Sequence, residues 1–387
     1  MHPSRTFTPT RSSGLARLET LAPKLGRAYA AGRNTDHGPD HAQGASLLSP
    51  WLRHRLILEQ EAVQIAERHH GPAAEKFIQE VFWRTYFKGW LETHPVVWDR
   101  YRDGAARGRN RLATESGLRK QHDAACAGQT GIECFDAWAQ ELVATNWLHN
   151  HTRMWFASIW IFTLRLPWEL GAAFFLRHLL DGDAASNTLS WRWVAGLHTP
   201  GKHYVARAEN IARYTDGRFN PSGELDEAPD PLDEAWPTPT VRLADSAVPR
   251  GDVWLLLHDE DLCPESLPLD GCTVRGVAGV LTHPAIAGAC SAPVTAFASM
   301  ALQDALERAQ MHFGVPATLL DKADAVREWA GGPVVVPYAP VGPAQELGAC
   351  GTMVRRAWDS VSWPHATRGY FGLRTKIPGI TRSLGLI

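Results

Sequence analysis

The chain has 387 residues, of which 44% are hydrophobic and 21% charged, and its formal net charge is −2 at pH 7. These values are ordinary for a globular protein with two domains or one large one. The longest apolar run, around residues 154–164, is too short to span a membrane, and the N-terminus carries no apolar stretch of a secretory signal. We therefore expect a cytoplasmic protein without a membrane segment.

The spacing of the cysteines and the distribution of charge further limit the class of protein that this sequence can be. The six cysteines form no C-x-x-C pair and no cluster with histidine, which indicates reduced thiols and predicts no metal site. Residues 1–220 carry 27 Lys/Arg against 21 Asp/Glu, whereas the remainder carries 12 against 20. A basic first part can face a polyanion while the acidic second part stays away from it.

Helical periodicity dominates the first 220 residues. Ser49 and Pro50 favour a helix start, and residues 99–130 are charged and irregular. The expected helices before that segment are Leu15–Ala31, His54–His69 and Ala73–Leu91. Helical structure is expected to resume near Gly131. Residues 221–249, rich in Pro, Asp and Glu, are predicted to be a linker.

After residue 249 the helical periodicity gives way to short predicted strands that alternate with helices. The expected strands are Val253–Leu257, Val274–Leu281, Ala317–Leu320 and Val334–Val336, and the expected helices are Phe297–Phe313 and Ala323–Ala330. This alternation predicts a small α/β domain with a largely parallel sheet over residues 250–387. The last twenty-five residues are rich in aromatic side chains, and we expect this tail to pack back on the body.

The stretch from Trp147 to Trp193 combines many aromatic residues with few charged ones. It reads W-L-H-N-H-T-R-M-W, then an apolar helical run, then D-G-D-A-A-S-N-T-L-S-W-R-W. Buried charges persist only when they are paired or bound to a ligand, and Arg153 and Asp181 are the natural pair. Taken alone, the pattern fits a structural ion pair in a helical core as well as it fits a ligand site.

The spacing W-x-H-N-x-x-R-M followed by D-G-D-x-A-x-N-x-x-x-W-x-W resembles the flavin-binding region of the cryptochrome/photolyase family. G-A-S-L-L-S-P-W at residues 44–51 and F-I-Q-E-V-F-W-R at residues 77–84 extend the resemblance, which covers roughly residues 29–220. It implies a fold of the α + α/β class: an all-helical photolyase-type FAD-binding domain at residues 1–220, then a small Rossmann-like α/β domain. The family's N-terminal antenna domain is not expected here, and no site for a second antenna chromophore is predicted.

The resemblance implies FAD as the cofactor. The residues that it assigns to FAD are Tyr29, Ser46, Leu47, Leu48, Ser49, Phe77, Arg84, Arg153, Asp181, Gly182, Asp183 and Asn187. Serines at a helix start suit a pyrophosphate, although an ordinary helix cap also explains them. By the resemblance, Arg153 and Asp181 form an ion pair over the flavin ring. Asn187 faces flavin N5, where a neutral amide favours the fully reduced anionic cofactor.

For the substrate cavity, the resemblance implies a carboxylate, an amide, a thioether and two aromatic walls, which are Glu80, Asn150, Met154, Trp83 and Trp193. Glu80 and Trp83 are three residues apart and so share a helix face, although a solvated Glu beside a core Trp gives the same spacing. Trp191 and Trp168 match the proximal and middle members of the family's tryptophan chain. The third position holds no Trp, so either Trp98 or another surface aromatic completes the chain, or the path differs.

The resemblance therefore predicts a lyase that repairs cyclobutane pyrimidine dimers in DNA, using light and FAD to transfer an electron to a flipped-out lesion. One alternative is a cryptochrome-like blue-light photoreceptor that signals to a protein partner through its acidic C-terminal domain. Another is a flavoenzyme with a different substrate in the same cavity.

Overall fold

A computed structural model describes residues 7–39, 41, 44–199, 201–239, 249–282 and 290–387. The α-helices are, in chain order, α1 (Arg11–Leu21), α2 (Arg27–Gly32), α3 (Ser49–Arg53), α4 (Glu59–His70), α5 (Glu75–Thr93), α6 (Val96–Thr114), α7 (Ser116–Ala127), α8 (Glu133–Thr145), α9 (Asn150–Ser158), α10 (Trp168–His178), α11 (Ala184–Ala195), α12 (Ala208–Tyr214), α13 (Ala292–Phe313), α14 (Val326–Trp329), α15 (Ala357–Ser362), α16 (Tyr370–Arg374) and α17 (Ile377–Ser383). The strands are β1 (Gly251–His258), β2 (Cys272–Val280), β3 (Ala317–Leu320), β4 (Val334–Pro337) and β5 (Thr352–Val354). This arrangement confirms the predicted fold class. Within the described ranges, no helix combines the length and apolar character that crossing a membrane requires.

The described chain divides into two compact units. The first contains residues 28–47 and 96–238, and the second contains residues 7–27, 48–95 and the chain after residue 238. These boundaries differ from the predicted ones, because α1 and α3–α5 belong with the sheet. Residues 221–238 of the predicted linker belong to the first unit, where Glu234 accepts hydrogen bonds from Arg192 at 2.8 Å and from Arg100. Residues 240–248 of that linker lie outside the described residues.

Residues 96–127 form two helices, so the prediction of irregular structure there was wrong. Helix α6 buries Trp98, Tyr101, Gly104, Ala105 and Gly108 at a spacing of three to four residues, and most of its charged side chains are exposed. The two glycines lie against side chains of α10, so that any Cβ at either position would collide with that helix. Glycine and alanine carry little hydrophobic signal, which is why this packed face was missed.

The second unit contains a five-stranded, wholly parallel sheet in the order β3-β2-β1-β4-β5. The four predicted strands are confirmed, and β5 was missed because it is only three residues long. The strand order reverses between β1 and β4, and this is the place where open α/β sheets usually bind ligands, at the carboxyl ends of the strands.

In this protein, the carboxyl end of β1 carries a buried ion network. Glu260 pairs with Arg53 at 2.7 Å and with Lys88 at 2.8 Å, and Asp261 accepts two 2.7 Å hydrogen bonds from Arg356. Burial opposes ionisation of Glu260, but Arg53 and Lys88 outweigh it and hold its pKa well below the usual value. Because Arg53 and Lys88 come from α3 and α5, the network anchors these helices to the sheet.

Glu92, near the end of α5, has a raised pKa, whereas the pKa of Glu260 is lowered. The Glu92 carboxylate accepts hydrogen bonds from the backbone N–H of Val341 and the hydroxyl of Tyr338, each at 2.7 Å, yet burial raises its pKa to about 7. A carboxyl group whose pKa is higher in the folded chain than in the unfolded one stabilises the fold only at low pH. Its contribution is lost as the pH rises from about 4.5, its ordinary value, to about 7.

We expect the Glu92→Gln substitution to stabilise the protein more at pH 8 than at pH 5. The change that it causes in the free energy of unfolding should differ between the two pH values by on the order of 2 kcal/mol. The measurement is urea unfolding of both proteins at the two pH values. Glu75→Gln is the control, because Glu75 is an exposed residue of the same helix and should show no such pH-dependent difference. Equal differences at both pH values for Glu92→Gln would contradict the prediction.

Candidate functional site

Arg153 and Asp181 form the expected ion pair in the first unit. Arg153, in the first turns of α9, donates from Nη2 to Asp181 Oδ2 at 2.8 Å and from Nε to the carbonyl of Leu148 at 3.0 Å. The Asp181 side chain is only 4% exposed. Its second oxygen, Oδ1, is buried and has no hydrogen-bond partner among the described residues. An unsatisfied buried acceptor is costly, so this oxygen fits a donor group of a bound ligand.

The D-G-D segment leads from Asp181 into α11 through the buried Gly182. Asp183 caps the helix, since its Oδ1 accepts a 2.8 Å hydrogen bond from the backbone N–H of Ser186. One turn later, Asn187 donates from Nδ2 to the carbonyl of Ala172 at 2.9 Å. This bond sets the orientation of the amide, so Asn187 can offer Oδ1 as an acceptor to a ligand N–H.

Each predicted aromatic wall is supported by a tyrosine that the sequence did not reveal. In the second unit, Tyr370 stacks on Trp83 with ring centroids 3.6 Å apart and planes inclined by 11°. In the first unit, Tyr204 stacks on Trp193 at 5.6 Å and 26°. Both tryptophans remain half-buried. Their ring planes are therefore held in place while part of each ring stays accessible.

Helix α5 carries three further predicted residues of the second unit. Phe77 is buried, and Glu80 is half-buried one turn before Trp83. Arg84 donates to Glu59 Oε1 at 2.6 Å and to the carbonyl of Arg53 at 2.8 Å, so its guanidinium joins the buried ion network. Its place beside a flavin stays a prediction.

The remaining predicted residues are divided between the units. In the first unit, Asn150 is exposed, and Met154, Tyr29 and Ser46 are half-buried. Leu47 is buried with φ of 57°, a left-handed backbone that is uncommon for a leucine. In the second unit, Leu48 is the N-cap of α3, and Ser49 and Pro50 begin it, which confirms the predicted helix start.

The buried tryptophans have aromatic neighbours that reach along the first unit. Trp191 meets Trp160 edge-on at 6.2 Å, and a Cβ at Gly171 would collide with both rings. Trp168 lies 5.9 Å from Tyr101, which lies 5.1 Å from Trp98. Trp98 and Tyr101 therefore form a run of aromatic contacts with Trp168, and electron transfer along it stays a prediction. The signal for Tyr101 was its position three residues after Trp98 on a helix.

The comparisons with known proteins agree with this geometry. Residues 77–225 match the family described as the FAD binding domain of DNA photolyase. A deoxyribodipyrimidine photo-lyase of Streptomyces griseus is 31% identical over 268 residues, which is 63% of this chain and 57% of the relative. Cryptochrome-1 of Arabidopsis thaliana is 36% identical over 97 residues, which is 25% of this chain and 14% of the relative.

Among solved structures, a cryptochrome of Synechocystis is similar, with a TM-score of 0.43 and 25% identity, over 56% of this chain and 45% of that one. The chain spans about half the length, or less, of the curated relatives that it matches. The family match covers α9–α11, where the Arg153–Asp181 pair and the D-G-D segment lie. By this match and these motifs, residues 77–225 are similar to the FAD binding domain of the photolyase family.

Proposed function

We propose that this protein uses FAD and blue light to split cyclobutane pyrimidine dimers in DNA. The observation that carries the proposal is the surface of α5, where the half-buried Glu80 and Trp83 lie one turn apart and Tyr370 stacks on the tryptophan. A carboxylate beside a supported aromatic plane suits a pyrimidine base, which needs both stacking and hydrogen bonds to its edge.

The residues present fit FAD. The unsatisfied Oδ1 of Asp181 offers a buried acceptor, and the Asn187 amide presents Oδ1 because its nitrogen is bound to Ala172. We infer that Arg153, Asp181, Asp183 and Asn187, all in the first unit, would hold the isoalloxazine and that Ser46 of the same unit would contact the phosphates. Bound and reduced, FAD would supply one electron to the lesion under light, and the electron would return to it after the dimer splits.

The chain's own residues then bind and orient the lesion. Trp83 stacks on a flipped pyrimidine, and such stacking is worth roughly 1–3 kcal/mol per base. Tyr370, in the same unit, acts as a positioning residue, because it holds Trp83 in a fixed plane before substrate binds. Glu80, one turn before Trp83 on α5, hydrogen-bonds the paired bases.

The test is illumination of the purified, reduced protein with an oligonucleotide that contains one thymine dimer, followed by chromatography of the products. We expect restored thymines in the light and none in the dark. A protein that retains FAD and its photoreduction but restores no thymine would instead favour a photoreceptor. The similarity to Arabidopsis cryptochrome-1 supports that second candidate.

Trp191→Phe is expected to slow photoreduction of the oxidised flavin at least tenfold while chemically reduced protein keeps nearly full repair. Trp191 is buried within a group of aromatic rings, so it can pass electrons without touching the substrate. The rates are followed by flavin absorbance under illumination. Trp138→Phe is the matched control, because Trp138 is a fully buried tryptophan of the same unit that stacks on Trp155 instead. Equal slowing in both variants would count against a specific path.

A further inference from the structure

We propose that the exposed side of α16 and α17, with the loop before them, binds the phosphate backbone of DNA. We call this region, residues 366–383, the C-terminal basic surface. The inference rests on the proposed function in one respect only, namely that the substrate is carried by DNA.

The charge of the chain reverses at its end. Residues 360–387 contain four Lys/Arg and no Asp/Glu. Residues 221–359 contain eight Lys/Arg (12 − 4) against 20 Asp/Glu (20 − 0). The acidic second part of the sequence therefore ends in a segment whose charged side chains are all cationic, and a polyanion is the complementary partner.

The fold directs these cations outward. In α17, Ile377, Ile380 and Thr381 are buried, and Arg382 lies on the opposite, exposed side. Arg368 and Lys376 are also exposed. None of these three cations forms an ion pair with a residue that the structure describes, whereas Arg374 lies 3.4 Å from Glu75. Cations without internal partners are available for phosphate oxygens.

An exposed aromatic ring lies among the cations. Phe371 is 74% exposed, and the Arg374 guanidinium lies 5.7 Å from its ring centroid. Exposed aromatic rings between basic side chains are typical of surfaces that follow a nucleic-acid strand, where the ring contacts a base or sugar and the cations contact phosphates.

The surface is continuous with the proposed substrate site on α5. Tyr370 begins α16, stacks on Trp83 and donates a 2.8 Å hydrogen bond to the carbonyl of Gln79. Phe371 is the next residue in the chain. A strand that delivers a base to Trp83 would therefore pass the C-terminal basic surface, which can hold the phosphates flanking the flipped nucleotide.

The experiment measures binding of an undamaged 20-base-pair duplex by fluorescence anisotropy at several salt concentrations. The test variant is R368Q/K376Q/R382Q. The control is R250Q/K322Q/R327Q, which removes three exposed cations of the same unit and changes the net charge equally. We expect the test variant to bind about tenfold or more weakly near 0.1 M salt. The slope of log K against log salt should become shallower by roughly 2–3, since each phosphate contact contributes about 0.9. The control should stay within about twofold of the parent protein.

Phe371→Ala provides a second, uncharged change. We expect it to weaken binding about fivefold or more with an unchanged salt slope, because stacking releases no counterions. Equal weakening in the test and control triple variants would show a net-charge effect only and overturn the proposal. Unchanged binding in the test variant would do the same, as would binding to anionic phospholipid vesicles without binding to DNA.

The outcome of the DNA-binding experiment does not depend on whether the protein repairs dimers. Binding of undamaged DNA requires neither a lesion nor light. If the protein binds it through this surface but restores no thymine, only the proposed function is contradicted. Conversely, the protein could repair dimers while the test variant binds DNA as well as the parent protein does. That result would rule out only the role proposed for the C-terminal basic surface.

Discussion

Glu80→Ala is expected to keep FAD and its photoreduction while the quantum yield of dimer splitting falls several-fold. A hydrogen bond that involves a charged group is worth roughly 1.5–3 kcal/mol. If the bond strengthens as negative charge develops on the pyrimidines, its loss lowers the rate of splitting rather than binding alone. The quantities to compare are flavin occupancy, photoreduction rate and repair yield at saturating DNA.

Glu75→Ala is the matched control for this variant. Glu75 lies on the same helix five residues earlier, is exposed and pairs only loosely with Arg374 at 3.4 Å. Its removal should leave the repair yield unchanged. Equal yields for Glu80→Ala and the parent protein would show that Glu80 lies on a solvated helix face without a role in repair. A parallel loss of FAD would show that Glu80 supports the cofactor or the fold.

Arg356→Met should destabilise the protein by about 3–5 kcal/mol, because it leaves a buried carboxylate without its main partner. Asp261 is 3% exposed and accepts two 2.7 Å hydrogen bonds from Arg356, whereas its contact with Arg55 is longer, at 3.3 Å. Burial alone would raise the pKa of Asp261, but Arg356 and Arg55 hold it well below the usual value. The lost stability is read from urea unfolding at pH 7.

Two further variants separate the ion pair from general damage to the core. The double variant Arg356→Met/Asp261→Leu removes both charges and should recover most of the loss, since a buried pair can be replaced by apolar groups at little net cost. Arg275→Met breaks an exposed pair with Asp252 and should cost less than about 1 kcal/mol. An Arg356→Met loss no larger than that of Arg275→Met would show that the buried network does not hold this unit together.

The sequence by itself was enough to predict the Arg153–Asp181 pair, the helix start at Ser49 and Pro50 and the parallel sheet. These features are local or strongly patterned. The pair joins two charges within one apolar stretch, and a buried charge requires a partner. Four short β-rich runs, with helical segments between some of them, leave few alternatives to a parallel sheet.

Tertiary structure alone decided the features that depend on distant residues. Tyr370 meets Trp83 across nearly 300 positions of sequence, and neither residue changes the periodicity around the other. The assignment of α3–α5 to the sheet unit follows from ion pairs such as Arg53–Glu260, because side chains brought together only by folding leave no local pattern. The packed face of α6 was hidden for a different reason. Its glycines and alanines contribute by letting helices approach closely, which is a property of shape rather than of hydrophobicity.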